Sequence, residues 1–227
     1  MRRLGKAVLF LAALLLAYLA LAFSWAGAST NQLLVRQPTV QGMPLSPRQL
    51  DILLKIEDPT FFSHHGLSLA DGQGVATISS AVARELLLYG PGLQGFKGML
   101  QSFYRGVFEC CKKVDLGRDA MALVVDARVS KERQLAIYAA SIYMGRHQGQ
   151  QVRGFEAAAL AYLGKPLNQA DDDEMAQLVT MIRAPNALHP VRKKAAYDQR
   201  LARVRAVLAG RCQPAGWFDT TYEHCSG

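Results

Sequence analysis

The chain has 227 residues, 50% hydrophobic and 19% charged, which excludes a disordered protein. Its 19 glycines and 9 prolines are too few for a low-complexity one. A net charge of +8, from 26 Lys+Arg and 18 Asp+Glu, favours anionic partners such as a membrane surface, nucleic acid or a phosphorylated substrate.

The first predicted element is Ala7 to Gly27, 21 residues without a charge. A helix needs about 20 apolar residues to cross a bilayer core. Arg2, Arg3 and Lys6 precede it, so the positive-inside rule puts the N-terminus in the cytoplasm and everything after residue 28 outside. Trp25 falls where an interfacial belt residue is expected. Ala26-Gly27-Ala28 also has the small-x-small form of a signal-peptide cleavage site, and both readings of residues 1–28 export the rest. Residues 29–45, polar and Pro/Gly-bearing, predict an extended stalk.

Ser46-Pro47-Arg48-Gln49 reads as a helix start with a capping box, and Pro59 predicts its end near Glu57. A second helix is expected over 75–88, with Val75, Ile78, Val82 and Leu86 on one stripe. Residues 89–117 are broken by glycines. Their apolar spacing fits an amphipathic surface segment or a core helix. Helices are then expected over 118–128, 131–143, 154–163, 171–183 and 192–209, ending at Gly210. No alternating strand pattern of useful length occurs, so the class is all-α. The tail, 210–227, carries Cys212 and Cys225, which would pair outside the cytoplasm; a zinc site using His224 is the alternative. Cys110 and Cys111 are neighbours and read as buried thiols, or one as a partner for a tail cysteine.

The stretch with most chemistry is Glu57-Asp58-Pro59-Thr60-Phe61-Phe62-Ser63-His64-His65-Gly66. It puts a carboxylate at a helix C-terminus beside aromatic surface, where the helix dipole and desolvation both raise its pKa toward a general-base range. The same residues also fit an ordinary solvated helix end. His64 reads as a scaffold residue rather than a metal ligand, because no third ligand lies nearby in sequence.

Glu57, Asp58, Phe61, His64 and Gly66 match the E-D-x-x-F-x-x-H-x-G signature of the family 51 peptidoglycan glycosyltransferases. Gly74, Thr77 and Ile78, with Ser79 and Arg84 as conservative changes, resemble the second block; its glutamines and asparagine are replaced by Ser80, Ala81 and Glu85. Ser130-Lys131 with Tyr138 resembles the third block, Arg153-Gly154-Phe155-Glu156 the fourth, and Ala184-Pro185-Asn186 the end of the fifth. The resemblance spans residues 46–190 in order.

The resemblance implies a lysozyme-like glycosyltransferase domain over 46–209, with an N-terminal transmembrane helix, in a single-pass inner-membrane protein whose domain is periplasmic. It implies lipid II and the growing glycan as partners, with cell-wall synthesis proteins beside them and no nucleic acid. Glu57 takes the general-base role. Asp58, His64 and Thr77 are expected at the substrate, and Arg84 at the diphosphate. Thr77 and Arg84 lie seven positions apart, on one helix face. The family's second glutamate falls on Arg118, so Asp119 beside it is the candidate second acid, with Arg118 helping the departing diphosphate by charge. A basic residue upstream falls on Val114, near Lys112 and Lys113; Asp126 reads as a structural acid. Mg²⁺ or Mn²⁺ is the divalent ion such chemistry would use, and no organic cofactor is called for. A catalytically degenerate lipid II-binding protein is the alternative, favoured by the altered second site. A lysozyme-like hydrolase is opposed by the diphosphate-binding features.

Overall fold

The computed structural model describes residues 2–36, 44–74, 76–110 and 115–225. The expectations on residues 37–43, Val75, Cys111, Lys112, Lys113 and Val114 fall outside them. The chain divides into two compact units. One gathers residues up to Pro38, His65–Leu67 and Ser79–Val129; the other gathers Thr39–His64, Ser68–Ile78 and the chain from Ser130 onward.

In the first unit, α1 (Arg2–Arg36) is one continuous helix. Its N-terminal part is apolar and exposed at Leu9, Phe10, Leu11 and Leu14. From Ala22 onward one side is buried, through Trp25, Ala26, Ser29, Thr30 and Leu33, at helical spacings of three and four. Residues 29–36 are therefore helical and packed, not part of an extended stalk. Their polar residues hid the period, but Thr30 returns its hydroxyl to the Ala26 carbonyl at 2.8 Å, so burying it costs little. Trp25 is not an interfacial belt residue. It stacks 5.4 Å from Tyr104 and donates Nε1–H to the Lys97 carbonyl at 3.1 Å.

The helix expected over 75–88 is shorter. α3 (Ile78–Ala83) runs into a π-helical turn, Arg84–Leu88, that buries three consecutive leucines. α4 (Gly95–Cys110) occupies the stretch that glycines made illegible. Both readings of that stretch apply to one helix. Gln101, Tyr104 and Phe108 are buried, while Phe96, Met99 and Phe103 are exposed. Gln101 ties the helix down, accepting from Leu93 N–H and donating to the Leu87 carbonyl, each at 2.9 Å. Cys110 is exposed, not a buried thiol. α5 (Leu116–Arg128) packs on α1 through Gly117, where a Cβ would lie 2.2 Å from the Tyr18 hydroxyl.

In the second unit, α2 (Pro47–Glu57) starts on the expected Ser46–Gln49 capping box. α6 (Lys131–Ser141), α7 (Phe155–Leu163), α8 (Asp172–Ile182) and α9 (Lys194–Leu208) follow. α2 packs on both α8 and α9, burying Ile52, Leu53, Ile56, Leu178, Val179 and Val204. One element was not expected, the hairpin of β1 (Tyr143–His147) and β2 (Gln150–Arg153). Its turn residues Gln148 and Gly149 both have positive φ, as a two-residue hairpin turn requires, but glutamine is a poor sequence marker for that conformation. The tail is closed by a Cys212–Cys225 disulfide and folds back along the 72–74 turn. Gly72 and Gly74 donate N–H to the Gly216 and Trp217 carbonyls at 2.9 and 2.8 Å.

Candidate active site

The 57–66 stretch separates into one reactive group and its supports. Asp58, 0% exposed, ends α2 and is a hydrogen-bond hub. His64 Nε2 lies 3.0 and 3.1 Å from its two carboxylate oxygens, the Gln73 amide donates to Oδ1, and Ile78 N–H donates to Oδ2 at 2.8 Å. That last bond satisfies the first N–H of α3 (Ile78–Ala83), one of the donors a helix start leaves unpaired. Asp58, His64 and Thr77, expected at the substrate, are all buried. Asp58 and His64 hold the loop, a role fixed by the cost of leaving a buried carboxylate unsatisfied.

Phe61 is in the core, and the Lys131 ammonium sits 4.5 Å from its ring centroid while donating to the His64 carbonyl at 2.9 Å. The serine–lysine pair of the third block therefore has a local function: Ser130 caps α6 and Lys131 clamps the 61–64 loop. Gly66, in the other unit, has φ +94, and a Cβ there would lie 2.8 Å from the Ala122 carbonyl oxygen. Both facts require glycine.

Glu57 remains as the candidate reactive group. It is half-buried at the end of α2. Desolvation raises its carboxyl pKa to about 7, the Arg200 and Arg183 guanidiniums pull it down, and Asp58 pushes it up. Arg200, on α9, is buried with its guanidinium 4.5 Å from the Tyr222 ring centroid, and its Nε and Nη1 have no hydrogen-bond partner among the described residues. Burial depresses its pKa, Tyr222 and Glu57 pull it up, and Arg183 and Arg203 push it further down. Tyr222 itself donates its hydroxyl to the Ile56 carbonyl at 3.1 Å, one residue from Glu57. Arg183 donates to the Thr220 hydroxyl. A carboxyl titrating near neutrality under the pull of two guanidiniums can take a proton from a hydroxyl at working pH.

The candidate diphosphate residues lie in the first unit, and each is already paired. Arg84 opens the π-helical turn, and its Nε and Nη2 both reach Glu85 Oε1 at 3.0 Å. Arg118 is 7% exposed and holds Asp119 Oδ1 through Nε at 3.0 Å and Nη2 at 2.6 Å. Burial raises the Asp119 pKa against the opposing pull of Arg118. Asp126 accepts from Ser79 Oγ at 3.0 Å, a structural use as expected.

A hard divalent ion needs several free oxygens. Asp119 Oδ1 is engaged by Arg118, and Asp115 Oδ1 accepts from Arg118 N–H to cap α5. Among the described residues, the one cluster of three close His, Cys or acidic ligands is Cys212, His224 and Cys225. Its sulfurs are joined to each other, whereas zinc takes thiolates.

Sequence reasoning missed Gln73, Arg183, Arg200 and Tyr222. Gln73 lies in a turn directly ahead of Gly74, the first residue of the second block, but has no position in that block itself. Arg183 directly precedes the Ala184-Pro185 block, which was a usable signal. In the tail, the sequence signals are Cys212, Cys225 and His224, and Tyr222 carries none.

The sequence matches the family model Transglycosylase over residues 28–209. That range begins within α1, ahead of the residue-46 boundary expected from the motifs. The chain is 33% identical to penicillin-binding protein 1B of Escherichia coli (strain K12) over 156 residues, covering 66% of this chain and 18% of that protein. It is 31% identical to penicillin-binding protein 1B of Vibrio cholerae over 147 residues, 63% of this chain and 18% of that protein. It is 26% identical to Escherichia coli penicillin-binding protein 1A over 168 residues, 73% of this chain and 18% of that protein. The chain thus aligns with less than a fifth of the length of these relatives.

Proposed function

The chain belongs to the transglycosylase family, the family 51 glycosyltransferases, and on that premise we propose that it polymerises lipid II into glycan strands with Glu57 as general base. The observation that carries the reading is the half-buried Glu57 carboxyl, raised to about 7 and facing Arg200 and Arg183.

In the proposed step, the sugar 4-hydroxyl of lipid II attacks C1 of the growing glycan's reducing end. Glu57 takes the hydroxyl proton. The new C1–O bond forms as the C1–O bond to the lipid diphosphate breaks, the diphosphate leaves with the electron pair, and the anomeric centre inverts. Arg84 and Arg118 balance its charge after exchanging their carboxylate partners for phosphate oxygens, since guanidinium binds either in a fork. Asp119, released from Arg118, is the candidate second acid. A divalent ion would enter with the diphosphate, and chelation of a reaction started without added metal tests that assignment.

The apolar, exposed start of α1 and its basic flank support a single-pass inner-membrane anchor, with a cytoplasmic N-terminus and a periplasmic domain. The net charge of +8 suits an anionic lipid surface, and cell-wall synthesis proteins are the fitting protein partners.

One observation favours a second reading, a lipid II-binding protein without polymerase activity. Both candidate diphosphate arginines are neutralised by an adjacent acid. The test is incubation of the detergent-solubilised protein with labelled lipid II and Mg²⁺ or Mn²⁺. Glycan from wild type but not from Glu57→Gln supports the enzyme. Lipid II binding without glycan from folded wild type sinks it and leaves the binding protein.

A further inference from the structure

The C-terminal tail lies beyond the residues that match the family, yet it reaches the two cations that face Glu57. Tyr222 has its ring beneath the buried Arg200 guanidinium and its hydroxyl on the Ile56 carbonyl. Thr220 accepts from Arg183. Tyr222 is 2% exposed and holds φ +52, a left-handed conformation costly for a tyrosine. The surrounding structure enforces it. Asp219 Oδ1 accepts Tyr222 N–H at 3.0 Å, Trp217 and Gly216 pair with the 72–74 turn, and the Cys212–Cys225 disulfide closes the loop. At Gly72 a Cβ would meet Pro214 at 2.5 Å and Tyr222 at 3.1 Å, so the turn and the tail are fitted to each other.

We propose that the tail is a working part of the Glu57 site: Tyr222 and Thr220 are positioning residues that hold Arg200 and Arg183 on the Glu57 side of the unit and limit the water that reaches its carboxyl. The inference deepens the reading of Glu57 as general base and rests on it for its meaning in catalysis. The charged and titratable groups facing Glu57 are Asp58 at the end of α2, Arg183 after α8, Arg200 on α9 and Tyr222 from the tail. Losing the tail admits water, which lowers the carboxyl pKa, and loosens the arginines, which raises it. Burial is the larger influence, so the net shift is downward.

The test follows the Glu57 carboxyl by carbon-13 NMR in the full chain, assigned by its absence in Glu57→Gln. Tyr222→Ala and the double variant Cys212→Ser/Cys225→Ser are expected to lower the midpoint by about one pH unit or more. Tyr222→Phe keeps the ring under Arg200 and is expected to restore most of the wild-type midpoint. Where Tyr222→Ala fails to fold by circular dichroism, the double variant and wild type reduced by a phosphine give the reading. Unchanged midpoints in folded variants overturn the proposal. Because the titration needs no turnover, it stands apart from the polymerase assay. A midpoint that moves while the acid limb of the pH–rate profile stays fixed supports the tail's role and removes Glu57 as the base.

Discussion

Four of the five signature residues have structural contacts that account for them, which leaves Glu57 as the candidate for chemistry. Asp58 and His64 form the hub, Phe61 packs the core beneath Lys131, and Gly66 clears the Ala122 carbonyl. Glu57 also carries a stability consequence whose sign is fixed. Its folded pKa, about 7, lies above the ordinary 4.5, so the folded state binds the proton more tightly than the unfolded chain. The stabilisation is complete below about 4.5 and is lost as pH rises toward 7. Two and a half pKa units correspond to at most about 3 kcal/mol, and water reaching this half-buried group trims that figure. Glu57→Gln is therefore expected to melt at a higher temperature than wild type at pH 8 and at the same temperature at pH 4, while losing about 10²-fold or more of glycan synthesis. Equal melting temperatures at both pH values would show that the carboxyl is not desolvated. The Arg84–Glu85 pair gives a second expectation. Glu85→Gln removes the internal anion, so diphosphate affinity is expected to rise about threefold to tenfold in a competition assay with a polyprenyl diphosphate. An unchanged affinity would mean that Arg84 does not meet the diphosphate.

At the scale of elements, the sequence was legible where a local signal and a packing demand agreed. Ser46-Pro47-Arg48-Gln49 specifies a helix start and forms its capping box, and the helix expected over 171–183 forms as α8, on a capping box of Asp171 and Glu174. It was illegible where long-range contacts override local pattern. Ser29 and Thr30 look like stalk residues until the partner surface of the first unit is known. Gly95 and Gly98 obscure α4, whose anchor is the two-way hydrogen bonding of Gln101. The candidate site divided in the same way. Glu57 was readable from its helix end and signature, whereas Arg200 and Tyr222 are joined by a buried contact between residues with no shared motif. Trp25 tests the packed half of α1. A belt tryptophan tolerates truncation, but this one fills a buried slot against Tyr104 and donates to Lys97. Trp25→Ala is expected to cost about 3–5 kcal/mol, seen as a lowered melting temperature in detergent. A loss below about 1 kcal/mol would return Trp25 to the interface.

At the scale of the whole molecule, exposed apolar surface and net positive charge point to the same solvent boundary. Within the first unit, the outer part of α1 exposes leucines and Phe10, and α4 exposes Phe96, Met99 and Phe103. A soluble surface rarely leaves so much apolar area open. Trp25 fixes α4 to α1 at Lys97, and Tyr104 donates to the Tyr18 carbonyl at 3.3 Å. The two helices therefore present their apolar faces from one rigid frame. If α1 crosses a bilayer, α4 is held where its exposed phenylalanines enter the acyl boundary, with anionic headgroups attracted by the basic chain. Single tryptophans at Phe96 or Phe103, introduced with Trp25 and Trp217 replaced by Phe, are expected to be quenched by brominated lipid in proteoliposomes. Absence of quenching at Phe96 and Phe103 would leave α1 as the chain's sole attachment to the bilayer.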